Sequence, residues 1–486
     1  MSEEELGNLP GIGEAIAKKV VAFRASGRLE SLEKRMASLG QGVMSIVRLP
    51  GVSAKEIRHL VLDLHLKERS DVMTWIGSPD ARDLTPSRQQ ALRAALSRPP
   101  VEEGLLSIEA ASLFSEARQS LLDHGASEVL PAGPFARHHD VVPALEVVAF
   151  GDPQATTPPG VRVTFVPHDA EGGLAELFAT SDGAHLAALV ERARSLGLSL
   201  SAKGLRRDRE AVPCPDVDSV YGALGLPTVP PELREGTAAL ERPDDIARLL
   251  TESDVVADLH THTRASDGEA TLGAMAEAAM GRGYQAMAVT DHSPAVAVAH
   301  GLTPERLRAQ RQEARRLAVE FAPFRILWGV EVDILKDGSL DVPDDLLGEM
   351  DWVGASIHTH LDLDRDAQTR RLVRAARHPS VRVLSHPTAR RLGRRPEIAC
   401  RWDEVFEEAA KHGVAIEVDG SPGRMDVSAP LAEAALAGGC RLTVSSDAHA
   451  PAEMAFMALG VAQARRAFAR REDVLNTSDL AGILSR

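Results

Sequence analysis

The chain has 486 residues, 44% of them hydrophobic and 26% charged, the balance of a soluble protein of roughly two to four domains. No apolar run approaches the ~18 residues of a membrane span, and Met1-Ser2-Glu3-Glu4-Glu5 does not read as a signal peptide. A net charge of −15 argues against indiscriminate nucleic-acid binding, while leaving room for local contacts by backbone amides and a few arginines. The three cysteines are far apart and match no zinc or disulfide spacing, which points to a reduced, cytoplasmic compartment.

In chain order, Leu9-Pro10-Gly11-Ile12-Gly13 puts a glycine turn ahead of a helix whose Ile16, Val20 and Phe23 share one face. A second copy follows at Leu49-Pro50-Gly51-Val52-Ser53, running into Ala54-Lys55-Glu56-Ile57. Both resemble helix-hairpin-helix motifs, which hold a DNA phosphate on N–H groups at a helix start. Gly11, Gly13, Gly51 and Lys55 are the candidate DNA-binding residues. The bland alternative is a glycine-turned helical hairpin without a ligand. Ser53 stands in the second copy where such motifs carry a glycine. The segment from Leu106 to His124 has a helical pattern, and Pro227, Pro230, Pro231 and Pro243 mark a linker.

Beyond the linker, strand-like apolar segments alternate with helical ones such as Pro304 to Val319 and Trp402 to His412. Val255-Val256-Ala257 leads into Asp258-Leu259-His260-Thr261-His262, with Asp267 close behind. The pattern repeats: Ala286 to Val289 runs into Asp291-His292, Ile326 to Val330 into Glu331, and Val353 to Ile357 into His358-Thr359-His360. Val381 to Leu384 runs into His386, Val414 to Ile416 into Glu417, and Leu442 to Ser446 into Asp447-Ala448-His449. Strand–helix alternation implies parallel strands with helices outside, hence a barrel with its site at the carboxyl ends of the strands. Imidazole and carboxylate groups gathered there are ligands for Zn²⁺, Mn²⁺ or Fe²⁺.

On the motifs DLHTHTRASDG, AVTDHS, GVEVDIL, SIHTHL, LSHPTARRLGRR and SSDAHA, residues 250–486 resemble the PHP (polymerase and histidinol phosphatase) superfamily of trinuclear metal phosphoesterases. The resemblance implies a distorted (β/α)7 barrel holding three divalent ions. One would lie on His260, His262, Glu331 and Asp447. A second would share Glu331 and add His358 and His386, and a third would use Asp267, His292 and His449. Asp258 and Asp291 would orient ligand histidines, and His360 and Glu417 would serve nearby. His300, Arg390 and Arg424 are the candidates for substrate contact or proton transfer; the arginines from Arg390 to Arg395 read alternatively as a solvated charge run.

The hairpins, with Tyr221-Gly222-Ala223-Leu224-Gly225-Leu226-Pro227 and Pro230-Pro231-Glu232-Leu233-Arg234-Glu235-Gly236, are similar to bacterial family X DNA polymerases (PolX). That implies a multidomain α/β protein. Its parts would be a hairpin region at 1–100, a polymerase-beta-like nucleotidyltransferase α+β region at 101–240 and the PHP barrel at 250–486. The resemblance begins almost at the N-terminus, so the family's preceding lyase helices are expected to be absent. Lys19 falls where some members keep a Schiff-base lysine, and reads here as a solvated one. The family's triphosphate-binding turn corresponds to Val129 to Arg137. Its metal-binding aspartates would fall at Ala144 and Glu146, and its third acid on Val161 to Phe165, where none remains. Polymerase activity is therefore expected to be lost.

The combined expectation is a metal-dependent phosphoesterase acting on DNA (ends, gaps or single strands), a 3′–5′ exonuclease using three Mn²⁺ or Zn²⁺ ions, with Fe²⁺ as a further option. A small-molecule phosphatase of the histidinol-phosphate type and a non-catalytic DNA-end scaffold are the alternatives.

Overall fold

The computed structural model describes residues 54–78, 104–151, 158, 160–166 and 172–484, with isolated positions between 43 and 96. Gly11, Gly13, Lys19, Gly51 and Ser53 lie outside the described residues. Lys55 lies in a helix, Ala54–Arg58, with its side chain likewise outside them. The chain divides into two compact units, 1–101 and 102–486. In the first, Leu60, Val61, Val72, Ile76, Leu92 and Leu96 form a small apolar core. Among the described residues no helix is long and apolar enough to cross a membrane.

The second unit opens with β1 (Leu105–Leu106) and the helix Ser107–Asp123. Then come β2 (Ala126–Ala132), β3 (Val141–Val142), β4 (Leu145–Gly151) and β5 (Val161–Val166). β1 pairs with β3, and β2-β4-β5 form one sheet, antiparallel across β2/β4 and parallel across β4/β5. Alternation places Leu145, Val147 and Ala149 against Ala117 and Leu121 of the helix. A meander follows, β6 (Leu198–Ser201), β7 (Gly204–Arg207) and β8 (Glu210–Val212), packed with the helices Gly183–Ser195 and Val217–Ala223.

Seven parallel strands build the barrel in sequence order: β9 (Ala257–Thr261), β10 (Ala286–Val289), β11 (Arg325–Asp333), β12 (Trp352–Ser356), β13 (Val383–Leu384), β14 (Ala415–Asp419) and β15 (Leu442–Ser445). One strand face, with Ala286, Ala288, Leu327, Trp352, Val383 and Ala415, fills the floor. The other, with Met287, Val289, Trp328, Val330 and Val353, packs on the outer helices. Buried on both sides, the strands read as continuous apolar runs. Gly329 is required where Trp352 fills the floor, because a Cβ there would meet Trp352 O at 2.3 Å.

The pairing of β9 with β10 slips by one residue between Asp258 and Thr261. A one-residue slip exchanges the faces of a strand. Ala257 and Leu259 therefore join the apolar floor, and beyond the slip His260 and His262 turn inward as well.

The gap between β9 and β15 is nearly closed. His262 N donates to Ala448 O at 2.8 Å. Asn476, fully buried, spans the seam: its Nδ2 donates to Ala257 O and Val444 O, both at 2.7 Å, and its Oδ1 accepts from Val444 N at 3.0 Å. Removing that amide strands three buried backbone groups. Asn476→Ala should destabilise the barrel by about 2–4 kcal/mol, read as a lowered denaturant midpoint in metal-free protein.

Candidate metal centre

The carboxyl ends of the barrel strands and the loops that follow them bring all nine sequence-expected ligands to one place. Glu331, 1% exposed, is the hub. Its Oε2 lies 2.7 Å from His292 Nδ1, 3.6 Å from His260 Nε2 and 3.7 Å from His262 Nε2. Its Oε1 lies 2.7 Å from His386 Nε2 and 3.3 Å from His358 Nε2. Asp447 Oδ1 sits 3.2 Å from His262 Nε2 and 3.6 Å from His260 Nε2. Asp267 faces His292 at 3.5 Å and His449 at 3.4 Å.

Three overlapping sets have donor atoms close enough to share an ion: His260, His262 and Glu331; His292, Glu331 and His358; and His262, Asp267, His292 and His449. The fit to cations rests on the donors themselves. Among the described residues, His260 Nε2, both nitrogens of His262 and of His386, His358 Nε2 and both Glu331 oxygens are buried without a hydrogen-bond partner. Buried polar atoms are normally satisfied. So many lone pairs converging on one point fit metal ions bound between them.

The electrostatics carry the same signature. Burial opposes ionisation of Glu331, but His292, His358, His260 and His386 outweigh it and hold the carboxyl well below its ordinary value. Burial, with His292 and His449, pushes His262 down to about 4. His292 moves the other way, to about 10, because Glu331 and Asp267 overcome its burial. Acids held ionised beside imidazoles of opposing tendency are a site suited to positive charge.

Carboxylates behind the donors fix their orientation. Glu417 Oε1 lies 2.8 Å from His260 Nδ1, while Glu417 Oε2 accepts from His386 N at 2.7 Å. Asp333 Oδ1 lies 3.1 Å from His358 Nδ1 and accepts from His358 N at 3.0 Å. Each contact leaves Nε2 facing Glu331, the arrangement by which outer carboxylates select a histidine tautomer. His449 is turned similarly, its Nδ1 at 2.8 Å from Asp447 O. Arg371, 1% exposed, ties the ends of β11 and β12 together by donating to Ile334 O, Leu335 O and Thr359 O.

Sequence reading places Asp333 at the strand end beside Glu331 without a role, and passes over Arg371. For Asp333 the signal was available, since Glu331 and Asp333 are two apart on a strand and share a face. Arg371 lies mid-helix with nothing to mark it.

The expected orienting acids serve otherwise. Asp258 accepts from Ser446 Oγ at 2.5 Å, and from the backbone rather than the ring of His260. Asp291 is bonded to Thr263, Ser266 and Gln310. Both brace loops, because the side chains of Asp258 and Asp291 meet hydroxyl and amide donors before they reach an imidazole.

Arg424 is 5% exposed, with Nε 3.5 Å from Asp447 Oδ2. Arg390 is engaged away from the centre, paired with Asp140 at 2.8 Å and bonded to Met425 O. His300 sits at a left-handed turn, where Arg306 donates to its carbonyl oxygen at 2.8 Å. His360 is exposed, its carbonyl accepting from Gln368. Arg395 is pushed down to about 10 by burial and by the neighbouring Arg424 and Arg391, so cations cluster beside the carboxylates.

Glu417→Gln keeps the shape but removes the charge that orients His260. It should weaken divalent-metal affinity roughly 10–100-fold, measured by titration of metal-free protein with Mn²⁺ or Zn²⁺.

Residues 258–419 match the PHP domain family and residues 175–235 the DNA polymerase beta thumb. The chain is 29% identical to the DNA polymerase/3′-5′ exonuclease PolX of Bacillus subtilis, over 99% of this chain and 90% of that protein. It is also 32% identical to the probable phosphatase PBPRB2022 of Photobacterium profundum, over 40% of this chain and 79% of that protein. A probable phosphatase of Syntrophotalea carbinolica is 29% identical over 46% of this chain and 88% of that protein. With a thumb match, a PHP match and similarity to PolX along nearly its full length, this chain joins a PolX-type DNA polymerase beta thumb to a PHP domain.

Proposed function

We propose that this protein is a metal-dependent phosphodiesterase that removes nucleotides from DNA ends in the 3′–5′ direction. The observation that carries it is Glu331, buried among five imidazoles whose nitrogens facing it have no hydrogen-bond partner among the described residues. His260, His262, Glu331 and Asp447 would hold one divalent ion. Glu331, His358 and His386 would hold a second, and Asp267, His292 and His449 a third, with Mn²⁺ or Zn²⁺ as the occupants. Ions bound there would supply a nucleophile from water near neutral pH and positive charge for the phosphodiester.

The remaining work belongs to the chain's own residues. Glu331 fixes the spacing between donor sets, which two-metal hydrolysis depends on. Arg424, beside Asp447, would face the charge on a bound phosphate, and Arg391 adds a second guanidinium close by. The similarity to PolX along 99% of the chain favours DNA as substrate, held by the hairpin and thumb regions through sequence-independent phosphate contacts.

Nucleotide addition is proposed to be lost. Glu146 pairs with Arg162 at 3.1 Å, and its carboxylate lies against Gly133 in the turn that the polymerases use for triphosphate. Arg137, 8% exposed, bonds Glu235 at 3.1 Å and Thr180 O at 3.2 Å. A second reading, a phosphatase of small monoesters, draws on the two probable phosphatases.

Glu331→Gln should reduce the bound metal count and abolish Mn²⁺-dependent release of nucleotides from a labelled oligonucleotide, with the circular-dichroism spectrum unchanged. Faster phosphate release from histidinol phosphate than nucleotide release from DNA would favour the second reading. A His260→Ala variant, freed of degradation, should extend no primed template with Mg²⁺ or Mn²⁺.

A further inference from the structure

We propose that Asp140, in the polymerase-like region, is a positioning residue for the barrel's site, acting through Arg390 on the loop that carries Arg424. The inference rests on the phosphodiesterase reading above for its consequence, but its geometry stands apart. Asp140 Oδ2 and Arg390 Nη2 are 2.8 Å apart, with side chains only 15% and 12% exposed. The same nitrogen of Arg390 donates to Met425 O, the carbonyl next to Arg424. Asp140 is itself held, since its carbonyl accepts from Ser107 N at 3.0 Å. Ser107 Oγ in turn reaches Met425 Sδ at 3.5 Å. The helix start at Ser107 and the approach to β3 thus grip one loop of the barrel at two points.

That loop is bound closely to the arginine loop preceding it. Thr388 Oγ1 donates to Asp426 Oδ2 at 2.6 Å, and Leu392 N donates to Gly423 O at 2.9 Å. Ala389 and Met425 both adopt left-handed backbone conformations, with φ of 50° and 42°. Residues with a Cβ stay there only when their surroundings over-determine them. Arg390 lies next to both, and its anchor in Asp140 supplies part of that constraint. The loop so fixed presents Arg424, whose Nε lies 3.5 Å from Asp447 and 3.9 Å from Asp419 without a hydrogen-bond partner among the described residues. A guanidinium lodged between two buried carboxylates and next to a phosphate site tolerates little displacement. Glu397 and Asp426 also lie near Arg390, but the 2.8 Å ion pair is made by Asp140.

The test uses full-length Asp140→Asn and Asp140→Glu. In metal-free protein, hydrogen–deuterium exchange of Asp140→Asn should rise in peptides covering 386–396 and 421–426. It should stay at the wild-type level in 257–262 and 326–333. With Mn²⁺, kcat on bis-p-nitrophenyl phosphate should fall about tenfold to a hundredfold, KM should change less, and Asp140→Glu should recover most of the loss. Wild-type exchange in both loops, or a rise spread equally over the ligand-bearing strands, would overturn the proposal. So would wild-type kcat in a folded Asp140→Asn. If Asp140→Asn does not fold, the same comparison is made with Arg390→Gln, which removes the other half of the ion pair and should raise exchange in the same two loops. Should the wild type cleave neither DNA nor the diester, the phosphodiesterase reading falls, and exchange alone still decides whether Asp140 holds the loop.

Discussion

A single buried carboxylate, Glu331, sets the terms for the second unit. An ionised acid sealed from water is costly unless surrounded by positive or donor groups. Here five imidazoles converge on it from four strand ends. A parallel barrel is suited to that task, because every strand delivers its carboxyl-terminal residue to the same rim. The floor beneath is filled by Ala286, Ala288, Leu327, Trp352, Val383 and Ala415, so the polar cluster rests on a dry, closely packed base. The low dielectric there strengthens each charge interaction above it.

The donors are held in place by residues that never face the centre. Glu417 and Asp333 each present one histidine with its Nε2 inward, and Arg371 clips the ends of two strands together. Preorganisation of this kind removes the need to rearrange side chains when ions or substrate arrive. The same logic extends beyond the barrel. Arg465 pairs with Glu232 at 2.5 Å and Arg466 with Glu235 at 3.3 Å, joining the barrel's last long helix to the end of the thumb match. Glu235 also holds Arg137 and His139. Arg137, Arg465 and Arg466 are thus engaged within this network, which ties residues 137–235 to the barrel.

The sequence by itself determined much of the barrel. Seven apolar runs, each ending in His, Asp or Glu, correspond to the seven strands of one parallel sheet, because strands buried on both faces must be apolar throughout and their ends must carry the chemistry. The nine donor positions came from the resemblance to the PHP superfamily, carried by motifs that lie at or just beyond the strand ends. The sequence did not reveal the phase of β9. Alternation alone puts Leu259 and His260 on opposite faces, and only the register slip against β10 turns both inward. It did not assign the outer partners either. Asp258 and Asp291 adjoin histidine motifs in sequence, yet the carboxylates that reach His260 and His358 come from β14 and β11. Nor could it separate Arg390 from Arg424, one drawn to Asp140 and the other set against Asp447. Sequence records which groups are present and how they alternate along a strand. Which group meets which is decided by contacts between segments tens to hundreds of residues apart, and those exist only once the barrel has closed.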